Sequence, residues 1–409
     1  MKFIAFFLGI LLISFGCREH KTQEVTLQED VHILASDSLM GRETGREGAD
    51  MAAAYLEGRM RDLGLKPFDA DGDYLQDFSF RPKTDPHSQV EYGAASDSSL
   101  QAKNLLGYID NGGSRTVILG AHYDHLGMGS EGSLYRGESA IHNGADDNAS
   151  GVATLLKLAN MIREWPEAKD NYLIILFSGE ETGLLGSNFF VKNPPLDLDQ
   201  VAYMINLDMV GRLREDKTLS VSGTGTTPIW PQLLNSLNPG FKLVLNESGV
   251  GPSDHTSFYL QDIPVLHFFT GQHEDYHKPS DDAEKLNYEG MQEIANYLFD
   301  LVKSMESQEE IAFRKTKNES EETPRFKVTL GVIPDYLFSG EGMRIDGVSE
   351  DRPAQKAGLQ KGDIVLQLGD STIVDMMSYM RALSSFEEGQ TTTVVVERNG
   401  EKVSAEVTF

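Results

Sequence analysis

The spacing of apolar residues along the chain separates helices from strands. Ala52, Tyr55, Leu56, Met60 and Leu63 recur at helical spacing, and Gly64 stands where a C-cap is expected, so the pattern predicts a helix closing near residue 63. Further on, short runs over residues 105–109, 116–119, 172–177, 202–207 and 264–269 are apolar at nearly every position. A run without polar alternation predicts a strand covered on both faces. Helical patterns over residues 149–162 and 288–305 alternate with these strands. The prediction is an α/β domain with a mostly parallel central sheet flanked by helices. Residues 69–99 are rich in Asp, Gly and Ser and read as irregular.

The pattern changes at residue 306. Residues 306–324 are dense in Glu, Lys, Ser and Asn, which is linker composition. After them short strand patterns resume, with a helix near residues 375–384. Residues 391–398 and 401–409 then flank Asn399-Gly400, a type I′ hairpin signal. The expected organisation is a first domain over residues 28–305, a linker over 306–324 and a small β-rich domain over 325–409.

The N-terminus adds a different signal. Lys2 precedes an apolar run over residues 3–16 that is short for a bilayer span and fits the apolar region of a signal peptide. Gly16-Cys17 resembles the lipobox of bacterial lipoproteins, in which the cysteine is lipidated and becomes the mature N-terminus. Residues 1–17 then form the signal and residues 18–27 a polar tether. That resemblance implies an exported lipoprotein on a bacterial membrane, facing the periplasm or the cell surface, with the lipid as its only membrane contact. Composition narrows the chemistry. Hydrophobic residues at 40% can bury a core, which excludes a disordered chain. Lys and Arg number 36 against 63 Asp and Glu, and a formal charge of −27 argues against a nucleic-acid partner. The single cysteine rules out an intrachain disulfide and a thiolate metal cluster.

The chemistry-bearing residues gather after the apolar runs. His122-Tyr123-Asp124 follows the second run, where alternation lets Asp124 accept the second ring N–H of His122. Residues 143–151 (NGADDNASG) form an acidic turn opening a helix, residues 177–183 (FSGEETG) end the third run, and residues 206–209 (NLDM) close the fourth. Residues 276–282 (YHKPSDD) follow the fifth. In an open α/β sheet, ligands bind beyond the carboxyl ends of the strands. Singly, such carboxylates read as caps or turn residues; Asp281 and Asp282 do so here, and His125, His142 and His273 carry no metal role. Together, two histidines and three or four carboxylates supply nitrogen and oxygen ligands for zinc without sulfur.

The ordered set HxD, GADDNASG, GEE, NLDM and YH resembles the secreted co-catalytic di-zinc aminopeptidases, whose wider family includes glutamate carboxypeptidases and glutaminyl cyclases. The resemblance covers residues 30–305 and implies a zinc exopeptidase fold with two zinc ions. It implies that one ion is held by His122, Asp146 and Asp208 and the other by Asp146, Glu181 and His277. Glu180 is then the general base and later the acid, Asp124 orients His122, and Tyr276 lies near the oxyanion. A cis peptide bond is expected after the bridging residue, at Asp146-Asp147. The implied activity is removal of N-terminal residues from peptides. Other family activities, carboxypeptidase or glutaminyl cyclase, are the alternatives, as is a lipid-anchored, non-catalytic peptide-binding module. Arg136 and Arg212 are isolated, whereas binding of a terminal carboxylate uses clustered arginines.

Residues 329–332 (TLGV), 347–349 (GVS), 353–359 (PAQKAGL), 360–365 (QKGDIV) and 368–370 (LGD) resemble a bacterial, circularly permuted PDZ domain. The resemblance implies a peptide strand added to a sheet edge, its carboxylate held by N–H groups around Leu330, Gly331 and Val332. Pro334 falls early in the presumed binding strand and removes a ladder donor. The expected alternative is intramolecular docking near the mouth of the first domain's site.

Overall fold

The computed structural model describes residues 26–68, 72–81, 91–92, 99–129, 132–316, 328–335, 338, 340–349 and 352–409. The signal peptide with Cys17, most of the tether, the later part of the linker and Tyr336 lie outside the described residues. Among those described, no helix is long and apolar enough to cross a membrane.

Strands β1 (Lys66–Pro67), β2 (Leu75–Arg81), β3 (Glu91–Tyr92), β4 (Leu100–Ile109) and β5 (Thr116–His122) come first. They are followed by β6 (Asn171–Phe177), β7 (Val201–Leu207), β8 (Thr218–Ser222), β9 (Lys242–Leu245) and β10 (Val265–Phe269). One sheet runs in the order β3-β2-β4-β6-β5-β7-β10-β8-β9, with β1 beside β4. Its centre is parallel, β5 pairing with β6 and β7, and β7 with β10. The wings bring in antiparallel pairs: β4 opposes β6 and β2, and β8 opposes β10, while β9 runs parallel to β8. The five apolar runs became β4, β5, β6, β7 and β10, but the sheet extends beyond them and is mixed. Strand β2 lies in the stretch expected to be irregular; only Phe78 and Phe80 alternate there with polar residues, a short signal inside a polar region.

Successive residues of the central strands feed opposite faces. Val117 and Leu119 pack with the helices Glu47–Asp62, Gly151–Arg163 and Tyr288–Met305, while Ile118 packs on the other side with Phe190 and Phe258. Both faces are covered, so the apolar runs have no polar alternation. Strand β5 lies between β6 and β7, and the carboxyl ends of β5, β6, β7 and β10 share one edge of the sheet.

Two boundaries move from their expected positions. Thr26 caps the helix Leu27–Leu34 by accepting from Glu29 N–H, so the globular part begins inside the expected tether. Residues 306–316 are bound to the first domain instead of acting as linker. Glu306 accepts from the N–H of Lys169 at 2.9 Å and the Tyr172 hydroxyl at 2.8 Å. Arg314 N–H donates to Thr226 O at 2.7 Å, and Phe313 packs on Tyr259 with ring centroids 5.6 Å apart.

The second sheet contains β11 (Val332–Pro334), β12 (Met343–Val348), β13 (Ile364–Leu368), β14 (Ser371–Thr372), β15 (Thr391–Arg398) and β16 (Glu401–Thr408). Their order is β11-β12-β13-β15-β16, with β14 beside β13. Asn399 and Gly400 both have positive φ, 53° and 83°, as the I′ turn requires. The helix Met376–Leu383 opens on a reciprocal Asp375–Ser378 capping box. Strand β11 lies at the sheet edge, and its register with β12 shifts at Pro334. Leu330 is buried in the domain's core, and Gly331, at φ 73°, leaves no room for a Cβ beside Arg352. Arg214 Nη2 of the first domain stands 3.5 Å from Asp346 Oδ2 of the second.

Candidate metal centre

His122 ends β5, Glu180 and Glu181 follow β6, Asp208 follows β7 and His277 follows β10. The parallel centre of the sheet therefore brings four separate segments together. His122 Nε2 lies 3.4 Å from both Asp208 Oδ1 and Asp147 Oδ1. His277 Nε2 lies 3.2 Å from both Asp147 Oδ2 and Glu181 Oε2. The two oxygens of Asp147 thus face two different histidine–carboxylate clusters.

This corrects the expected bridge. Asp146 points away: its Oδ1 accepts from Gly211 N–H at 2.7 Å and the Ser150 hydroxyl at 2.9 Å, and its Oδ2 faces His273 Nε2 at 3.1 Å. Both oxygens are committed to the surrounding loops. Adjacent residues of a tight turn project in different directions, so only one of the pair can reach the clusters. The non-proline cis bond likewise lies one position later than expected, at Asp147-Asn148.

Each ligand-type histidine has its other nitrogen occupied. His277 Nδ1–H donates to Gly132 O at 2.9 Å, and His122 Nδ1 faces the main-chain oxygen of Asp124 at 3.3 Å. The carboxylate of Asp124 is farther from that nitrogen, 3.7 Å, than the expected pairing supposed. It accepts instead from Glu180 N–H at 3.1 Å and from the Thr44 hydroxyl at 2.8 Å. Asp124 therefore links the His122 strand end to the backbone of Glu180. Tyr276 stacks on His277, ring centroids 3.8 Å apart.

Residues 104–302 match the model of peptidase family M28, and residues 311–409 match that of the PDZ domain. The chain carries a peptidase M28 domain followed by a PDZ domain. It is 29% identical over 191 residues to an aminopeptidase of Bacillus subtilis, covering 44% of this chain and 39% of that protein. It is 27% identical over 194 residues to a probable lipoprotein aminopeptidase of Mycobacterium tuberculosis, covering 43% and 36%. The match thus spans less than half the length of either relative. The fold is similar to that of a Zn-dependent exopeptidase from Parabacteroides distasonis, with a TM-score of 0.55 and 20% identity over 69% of this chain and 98% of that one.

The M28 domain supports its strand-end residues with side chains the motifs did not single out. Asp281, expected as a turn residue, is fully buried and accepts from the N–H groups of Asp146 at 2.9 Å and Asp147 at 3.1 Å. Asn148 donates to Leu207 O at 2.9 Å and accepts from Met209 N–H at 3.0 Å, tying the acidic turn to the end of β7. His125 Nδ1 lies 2.8 Å from Glu181 Oε1, which brings to the site a histidine for which no metal role was expected. The only advance sign of these partners was their place within or beside the motifs.

Titratable groups crowd together, largely buried, at the strand ends of the M28 domain. Burial and then the neighbouring charges of Asp208 and Glu181 push the Glu180 carboxyl well up, although His122 opposes them. Burial raises Asp147, with Glu181 adding to it, and lifts Asp281 to about 6. Burial works against a charge on His122 and His277, yet the adjacent carboxylates, Glu180 and Asp208 for one and Glu181 for the other, hold both well above the usual histidine range. So many acids around two imidazoles form a site built to hold cations.

Proposed function

We propose that the chain is a zinc-dependent aminopeptidase that removes N-terminal residues from peptides, with two zinc ions sharing Asp147. The observation that carries this reading is the placement of the two Asp147 oxygens toward separate clusters. The donor set fits zinc. The Nδ1 atoms of His122 and His277 face main-chain oxygens, which directs each Nε2 toward carboxylate oxygens 3.2–3.4 Å away. One ion is assigned to His122, Asp147 and Asp208, the other to Asp147, Glu181 and His277. His125 supports Glu181. Bound zinc supplies Lewis-acid polarisation of the scissile carbonyl and lowers the pKa of water.

The chain's own groups do the rest. Glu180 takes the proton of the attacking water and passes it to the departing amine. Asp124 fixes Glu180 through its backbone N–H. Tyr276, held against His277, is assigned to the oxyanion side of the carbonyl. An acidic cleft attracts a protonated α-amine, whereas a terminal carboxylate needs cations. Arg212 is already bound to Asp275 at 3.0 Å, which favours the aminopeptidase over a carboxypeptidase.

The Gly16-Cys17 sequence and the likeness to a probable lipoprotein aminopeptidase support an exported, lipid-anchored protein. For the PDZ domain we propose docking on the peptidase domain. The Arg214–Asp346 pair supports it, since Arg214 also donates to Gln272 O in the loop leading to His277. Hydrolysis of free-amine and N-acetylated aminoacyl substrates, with and without chelator, tests the activity. Cleavage of the free amine alone, abolished by chelator and restored by zinc, is expected; equal cleavage of both, or indifference to chelator, refutes it.

A further inference from the structure

The mechanism does not use Arg42, although its side chain is completely buried beside the site. Its guanidinium binds only main-chain oxygens. Nε donates to Tyr123 O at 2.7 Å, Nη1 to Leu34 O and, at 2.6 Å, to Asn143 O, and Nη2 to Gly144 O at 2.9 Å. Tyr123 lies between His122 and Asp124, and Asn143-Gly144 leads into Asp147. One side chain therefore ties the end of β5 to the turn carrying the shared carboxylate. Burial lowers the Arg42 pKa to about 10, with the nearby charges of Asp147 and Asp124 opposing that shift, so the group stays charged at neutral pH.

The backbone around Arg42 is shaped for this position. Met40, Gly41 and Arg42 all have positive φ, at 47°, 68° and 49°. Two of the three are not glycine, and left-handed backbone costs such residues of order 1–3 kcal/mol each. A Cβ on Gly41 would lie 2.5 Å from Gly127 O, so the segment reaches the site loops only with glycine there. The main chain continues the seam: His125 N–H donates to Arg42 O at 3.1 Å, and Gly127 N–H to Gly41 O at 2.9 Å. Two residues on, the buried Thr44 hydroxyl donates to Asp124 Oδ2 at 2.8 Å. This segment precedes the residues matched by the M28 family model, which begin at 104.

We infer that Arg42 and Thr44 form a positioning clamp that sets the distance between the His122–Asp124 strand end and the Asp147 turn, and so governs how tightly the metals are held. Both side chains are buried behind the strand-end residues, Arg42 completely. The inference rests on the two-zinc reading above. Arg42 acts by holding two loops in register. Thr44 fills one oxygen of Asp124, whose other oxygen holds the Glu180 backbone.

The test uses the full-length chain and measures zinc affinity by chelator competition, kcat and KM on a free-amine substrate, and thermal stability of the metal-free form. Removing a group that supports a ligand commonly costs about 10–100-fold in metal affinity or activity. Thr44→Val should lose zinc affinity and kcat in that range with KM nearly unchanged, and Thr44→Ser should restore both. Arg42→Lys keeps the charge but cannot span four carbonyls and should weaken zinc similarly. Should that variant fail to fold, the Thr44 pair still decides. If Thr44→Val keeps wild-type zinc affinity and kcat while losing only stability, the residue is merely structural and the clamp is refuted. A wild-type chain that binds no zinc refutes the site reading itself, and the clamp with it.

Discussion

Asp146 and Asp147 are the same residue type one position apart, yet only Asp147 faces both histidine clusters. Spacing alone could not separate them, because the direction of each side chain depends on how Asp281 and Asn148 hold the turn. The structure does bring His122, Glu181, Asp208 and His277, each at or beyond the end of a parallel strand, together around Asp147. His125 was not legible, as its place beside Glu181 depends on the bend after β5. The two histidines make different predictions. His277→Ala should remove a ligand and lower zinc content, whereas His125→Ala should retain two ions with affinity weakened about 10–100-fold; metal analysis after dialysis distinguishes them, and the reverse pattern would exchange their roles. Glu180→Gln should keep both metals and lower kcat by about 10²–10⁴-fold. A zinc-loaded Gln variant that turns over normally would remove Glu180 from proton transfer.

At the scale of elements, the central strands were legible because burial on both faces leaves an unbroken apolar run. The wings were not. Strand β2 has one well-covered face and few residues, and β8 and β9 rely on pairing partners distant in sequence. Residues 306–316 mislead for a related reason: their polar side chains look like linker, but Glu306 caps the backbone before β6 and Phe313 packs into the domain. Composition records solubility and not a specific hydrogen bond. Glu306→Ala would leave the N–H groups of Lys169 and Asp170 without their carboxylate partner. It should cost about 1–3 kcal/mol, read as a lower denaturation midpoint with unchanged slope. An unchanged midpoint would return this segment to the status of a tether.

At the scale of the whole molecule, the proposed role of the PDZ domain is to screen access to the site, and the competing proposal is recruitment of substrates by their C-termini. The Arg214–Asp346 contact favours screening. Truncation after Thr316 spares the packed segment, so hydrolysis of single-residue chromogenic substrates should be nearly intact while the rate on longer peptides changes. Asp346→Ala should shift the length profile in the same direction. An unchanged profile, with tight binding of C-terminal peptides by the PDZ domain, would establish recruitment instead. Both roles presuppose the proposed metal centre, whose defining feature is a shared carboxylate. Zinc stoichiometry of the wild type, Asp146→Asn and Asp147→Asn, purified in parallel, tests that feature most directly. The structure predicts two ions in the wild type and in Asp146→Asn but no more than one in Asp147→Asn; two ions retained in Asp147→Asn, or loss confined to Asp146→Asn, would contradict it.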